Sequence, residues 1–211
     1  AGARPLDEVL RINPTFFTLW LGSNDVLSSA TDGGESSSTG ISDLNLFSYS
    51  YDSVVRALGR NGAKGVILNI PDVTSIPFFT TIPAKGLTLT KSDADYFNAK
   101  YNGTDMRFNT DGSPSYFVIQ DSSVPRGYRQ IKEGEMVLLS VPLDSIKCNK
   151  WGSAVPLPAK YVLTANEVSK IKTAVTSFNQ VIAQTAAAYN LPVVDMNAYL
   201  GTLMSGIKFN G

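Results

Sequence analysis

Three short apolar runs punctuate this chain, and a stretch with helical spacing precedes each of them. The runs are Thr15–Leu21, Gly65–Ile70 (GVILNI) and Leu191–Met196 (LPVVDM), all rich in β-branched or aromatic residues. Short apolar runs of this kind read as buried parallel strands, and the helix-then-strand alternation reads as βαβ units. The expected helices lie at about Pro5–Ile12, Leu46–Arg60 and after Thr164. The first has Pro5 in its opening turn, with Asp7 and Glu8 at the positive helix end. The second carries Val54, Val55 and Leu58 on one face and stops at Asn61-Gly62. The third opens on Thr164-Ala165-Asn166-Glu167, a capping box, with Leu163 and Val168 set for the hydrophobic staple. Ile171, Val175, Phe178 and Ile182 follow at spacings of four, three and four, a single stripe expected to pack on the sheet. Tyr189-Asn190 before Leu191-Pro192 ends that helix.

The rhythm breaks between about Thr80 and Pro158. A polar helix is expected near Lys91–Tyr101, then a hairpin turning at Thr110-Asp111-Gly112 with Tyr116–Gln120 as one strand. Met136–Val141 (MVLLSV) reads as another apolar strand. The stretch Asp32–Asp43 is rich in Gly and Ser and reads as a mobile loop. These patterns predict an α/β fold with a parallel sheet and a β-rich insertion. The expected division is a first core part at 1–79, an insertion or lid at 80–160, and a last core helix and strand at 161–211.

Composition narrows the picture. The chain has 211 residues, 43% hydrophobic and 17% charged, with 18 basic and 18 acidic side chains. That is the make-up of an ordinary globular protein. A neutral balance gives no reason to expect a nucleic acid or an anionic membrane as partner. The apolar runs are too short to span a bilayer. One cysteine, Cys148, excludes an internal disulfide. Lys147 and Lys150 beside it favour a thiolate, but the chain contains no histidine to activate one, so an inert cysteine is expected. The same absence means that residues 1–211 hold no complete Ser-His-Asp triad.

Gly22-Ser23-Asn24-Asp25 follows the first apolar run directly, at the strand end where open α/β sheets bind ligands. Ester hydrolysis needs hydrogen-bond donors fixed in place before negative charge develops on the tetrahedral intermediate. The side-chain amide of Asn24 is such a donor. Gly22 lets the backbone turn sharply, and Asp25 is expected to support the loop by accepting backbone N–H bonds. On the four letters alone a simple turn is the favoured reading, since Gly, Ser, Asn and Asp are the usual turn residues.

The longer run Pro14–Leu27 resembles the third sequence block of the SGNH, or GDSL-like, lipase and acylhydrolase superfamily, especially bacterial members with a mid-domain insertion. Gly62–Val73 is similar to the strand and loop that follow that block, and Tyr189–Asn197 resembles the last core strand. The resemblance implies a three-layer α/β/α sandwich of flavodoxin-like type and a serine esterase acting through an acyl-serine intermediate. It implies Asn24 as oxyanion-hole donor, with Gly22 and Asp25 shaping the oxyanion loop. It implies no cofactor or metal, a small-molecule, lipid or carbohydrate ester as substrate, and a secreted or cell-envelope location, although no targeting segment is visible. The family's nucleophilic serine, its glycine donor and its Asp-x-x-His block have no counterpart in these residues. An internal fragment is therefore expected, its triad completed by further segments of the same protein or by another chain. A catalytically inactive binding module of the same fold is the alternative.

Other candidates point elsewhere. Ser23 is expected to be a turn serine, and Asp195 to cap the loop after the last strand. Asp105, Asp111 and Asp121 lack calcium-loop spacing, and without histidine or a cysteine pair no zinc site is expected. Asn102-Gly103-Thr104 matches the glycosylation pattern. Phe78, Phe79 and Trp151 either line an acyl pocket or belong to the insertion core.

Overall fold

A computed structural model of the chain describes residues 4–34 and 40–204. Residues 35–39 of the expected Gly/Ser loop lie outside the described residues. In chain order the elements are α1 (Pro5–Arg11), β1 (Phe16–Leu19), α2 (Asn24–Thr31), α3 (Leu44–Gly59), β2 (Lys64–Leu68), α4 (Pro77–Thr80), α5 (Lys91–Lys100), β3 (Val118–Gln120), β4 (Tyr128–Gln130), β5 (Met136–Val137), α6 (Leu143–Cys148), β6 (Val162–Leu163), α7 (Ala165–Ala188), β7 (Val193–Val194) and α8 (Met196–Met204). The chain is mixed α/β and divides into two compact units. One comprises Ala1–Ser28, Ile41–Val73 and Ile171–Gly211, the other Ser29–Gly40 and Thr74–Lys170. Among the described residues no helix is long and apolar enough to cross a membrane.

The first unit is built on a parallel sheet of order β1-β2-β7. Phe16 to Leu19 pair with Lys64 to Ile67, and Ile67 and Leu68 pair with Val193 and Val194. Phe17, Leu19 and Ile67 are buried on one sheet face, together with Phe47, Tyr51, Val55 and Leu58 of α3 and the expected α7 stripe Ile171, Val175, Phe178 and Ile182. Phe47 stacks on Phe178 at 4.3 Å between centroids. Opposite Phe17 in the register stands Gly65. A Cβ there would lie 2.4 Å from the Phe17 ring, so the ring occupies the space a side chain would need. The α3 helix begins at Leu44, slightly before its expected start, because the Asp43 carboxylate accepts from the amides of Asn45 and Leu46, both at 3.0 Å. The end of α7 has Asn190 in the left-handed region, with the Leu191 amide returning to the Ala186 carbonyl at 2.9 Å. This is a Schellman closure, with asparagine in the usual glycine place.

The first apolar run departs from expectation. It forms a four-residue strand rather than a buried seven-residue one, and its side chains alternate between exposed and buried. Phe16 is 57% and Trp20 49% exposed. Among the described residues β1 is an edge strand covered on one face, and alternation is the signature of that environment.

The second unit contains two antiparallel pairs, β3–β4 and β5–β6, and a core including Phe97, Tyr101, Phe108, Phe117, Ile119 and Leu157. The hairpin turn lies between Gln120 and Tyr128, not at Thr110-Asp111-Gly112. The latter is a local turn in which Asp111 accepts from the amide and hydroxyl of Ser113. What fixes the true hairpin is an ion cluster. Arg129 donates to Asp121 at 2.6 Å and, as a fork, to both oxygens of Glu135 at 2.7 Å. Glu135 is 2% exposed at its side chain and also accepts from the amides of Lys132 and Ala165. The expected strand Met136–Val141 shortens to Met136–Val137. Its next amides turn to Tyr161 and Phe78, and Pro142 follows. The capping box forms as expected: Glu167 accepts from the Thr164 amide at 2.7 Å, and the Glu167 amide donates to the Thr164 hydroxyl at 3.4 Å.

Candidate functional site

The carboxyl ends of the three parallel strands are tied together by side chains. Trp20 Nε1 donates to the Asn69 carbonyl at 3.2 Å. The Asn69 side chain donates to Asp195 at 2.8 Å and accepts from the Asn197 amide at 3.0 Å. Asp195 also accepts from the Ala198 amide at 2.9 Å, so it caps α8 as expected of it. These hydrogen bonds, from Ala198 first and then Asn69, hold its carboxyl below the usual carboxylate range. Asn69 is the residue sequence reasoning missed here. Its signal was a lone amide at the end of the GVILNI run.

Beside this network the chain leaves β1 and turns at Gly22, whose φ is +113°. A Cβ on Gly22 would meet Ile70 Cδ1 at 2.6 Å and the Phe47 ring at 3.1 Å. Both the backbone and the space therefore demand glycine. The segment after it is not the open loop anticipated. The Ser23 carbonyl accepts from the Val26 and Leu27 amides, and α2 begins at Asn24. Asn24 thus sits in the first turn of a helix, exposed, its side-chain amide without a protein partner among the described residues. The carboxylate of Asp25 likewise makes no hydrogen bond among those residues; the tie to the neighbouring loop runs from the Ser42 amide to the Asp25 carbonyl at 3.0 Å. A carboxylate in the first turn is favoured there by the helix dipole. Ser23 is half-buried at the turn.

The remaining candidates fall into structural roles. Asp121 belongs to the Arg129 cluster and Asp111 to its local turn. Among the described residues no group of three or more His, Cys, Asp or Glu side chains is placed to hold a metal ion. Cys148 is exposed at the end of α6. Asn102 accepts from the Gly103 amide within a turn. Phe79 is buried and borders a cavity of about 380 Å³ with Ile82, Tyr116 and Met136. Phe78 packs edge-on against Phe79, and Trp151 packs against Tyr161.

Compared with protein-family models, with curated proteins and with solved structures, the chain matches none.

Proposed function

We propose that this chain is part of a serine ester hydrolase of the SGNH class, secreted or held in the cell envelope, with its parallel sheet as the centre of a flavodoxin-like α/β/α sandwich. The observation that carries the reading is Asn24. It presents an unpartnered amide from the first turn of a helix, just past the carboxyl end of a parallel strand. That amide and the nearby helix N-terminus both favour a developing oxyanion. Gly22 holds the turn that places it, and Asp25 follows in the same helical turn. The ester carbonyl oxygen accepts from Asn24 as a serine hydroxyl adds to the carbonyl carbon. The alkoxide leaves, and water releases the acid from the acyl-serine.

The resemblance gives the nucleophilic serine to a block with no counterpart among these residues, and the chain's lack of histidine requires the base to come from elsewhere as well. That lack equally supports the second reading, a binding module that retains the scaffold without catalysis. A fluorophosphonate probe separates them. The protein carrying this chain together with its flanking segments labels on a serine under the esterase reading and stays unlabelled under the module reading. In the labelled protein, Asn24→Ala lowers kcat on p-nitrophenyl butyrate by about 10²–10³-fold, the usual loss for one oxyanion donor. A change below about threefold overturns the role given to Asn24.

A further inference from the structure

A cavity of about 450 Å³ lies wholly within the second unit, a size in the range of small-molecule sites. Its lining joins two kinds of residue. Leu89 and Ile146 are half-buried and pack on the core cluster that contains Leu87 and Phe97, which also border the cavity. Lys147 and Lys150, both exposed, supply positive charge. Neither ammonium group has a hydrogen-bond or ion-pair partner among the described residues. The one carboxylate of the lining, Asp93, is already engaged. It accepts from the Thr90 hydroxyl at 2.7 Å, and that hydroxyl accepts from the Asp93 amide at 3.1 Å. The backbone of Lys150 is held firmly. It follows the end of α6 at φ +55°, in the place where helices usually carry glycine. Its carbonyl accepts from the amides of Ser153, Ala154 and Val155 at 3.2, 3.1 and 3.2 Å and from the Ser153 hydroxyl at 3.0 Å.

The geometry points to a binding site for a medium-chain carboxylate, whose head accepts from Lys147 and Lys150 and whose alkyl chain lies on Leu89 and Ile146. Three properties select that class. Two unpaired cations call for an anion, and a lysine ammonium donates to a carboxylate more strongly than to a neutral acceptor. Two lysines against one aspartate leave the lining one positive charge in excess, which a single carboxylate neutralises and a dianion overshoots. The accessible apolar surface of Leu89 and Ile146 rewards a ligand with an alkyl chain over a bare anion. The site uses neither Asn24 nor a serine, and it stands whether or not the chain belongs to an esterase.

The test is a calorimetric titration of this chain with octanoate, beside 1-octanol, octylammonium and octyl phosphate as matched chains. Saturable octanoate binding at one site is expected, with octanol and octylammonium at least tenfold weaker, and it weakens as sodium chloride is added. Lys150→Gly weakens octanoate about three- to tenfold, the yield of one charged hydrogen bond. Glycine adopts φ +55° freely, so the urea midpoint of this variant stays level or rises, and its lost binding is not lost folding. Lys147→Ala, at an exposed position, acts by a similar factor. Lys132→Ala, at a residue outside the lining, leaves binding unchanged. Unsaturable octanoate binding, octanol bound as tightly as octanoate, full affinity in both lining variants, or an equal loss in Lys132→Ala each overturns the proposal. Octyl phosphate bound more tightly than octanoate overturns the choice of a carboxylate in favour of a dianion.

Discussion

Replacing Gly22 by alanine perturbs the turn at its most constrained point. At φ +113° an L-residue sits outside the left-handed well, in a region costing about 1–3 kcal/mol. The added methyl then meets Ile70 Cδ1 at 2.6 Å and Phe47 Cε2 at 3.1 Å. The Ile70 atom ends a flexible side chain and can retreat. Phe47 is clamped between Tyr51 and Phe178 by stacking at 5.5 and 4.3 Å and has little freedom to do so. Overpacking of a well-filled core costs about 1–3 kcal/mol. Together these predict a loss of about 2–6 kcal/mol, enough to unfold an ordinary domain in part. Urea denaturation followed by circular dichroism measures it, read as a fall in midpoint at unchanged slope. Gly59→Ala is the control. It lies in α3, its Cβ meets nothing within 4 Å, and helix propensity predicts a gain of about 0.5 kcal/mol. A Gly22→Ala loss below about 1 kcal/mol, or losses of equal size at both sites, refutes the argument.

Two further outcomes follow from the packing. Arg129→Met strands the carboxylates of Asp121 and Glu135 in a largely buried site and is expected to cost about 3–5 kcal/mol in thermal or urea unfolding. Burial by itself would raise the pKa of Glu135, but hydrogen bonds from Arg129 and from the Lys132 and Ala165 amides outweigh it and hold the group below the usual carboxylate range; Asp121 is lowered in the same way. A folded-state pKa below the unfolded one gives stability that is complete above the unfolded value and lost as pH falls. The parent's Tm should therefore decline from about pH 5 downward, and the Arg129→Met variant should lose that slope. Asn179→Leu removes a side chain that both donates to the Ile70 carbonyl at 2.7 Å and accepts from the Ile70 amide at 2.8 Å. The unpaired peptide is expected to cost about 1–3 kcal/mol in urea unfolding, with faster amide exchange at Ile70 than at Ile67.

What the sequence revealed and what it concealed divide along the range of the interactions. The α7 stripe, its Thr164–Glu167 box and the β2 run were legible because each is decided within a few residues. The pairing of β1, β2 and β7 followed from them by the βαβ rule. The burial of β1 was not legible, since Phe16-Phe17-Thr18-Leu19 is apolar whether one face or both are covered. The hairpin was misplaced for the same reason. Asp111-Gly112 and Asp121 through Gly127 both carry turn chemistry, and the choice between them rests on Arg129 reaching back to Asp121 and forward to Glu135. At the site, Gly22 and Asn24 stand out in the sequence, while the start of α2 was masked by turn-forming residues that also serve as helix caps.

The Arg129 cluster also restricts how this chain can diverge. One guanidinium satisfies two carboxylates and, through Glu135, the first helical amide of α7 at Ala165. A lysine reaches only one of those carboxylates at a time and cannot fork. Any descendant that loses Arg129 inherits two stranded carboxylates until Asp121 and Glu135 change as well, whereas the loss of Asp121 still leaves Arg129 matched with Glu135. Relatives of this protein should keep Arg129 wherever either carboxylate is kept, and lose it only together with both, while the surrounding hairpin drifts freely.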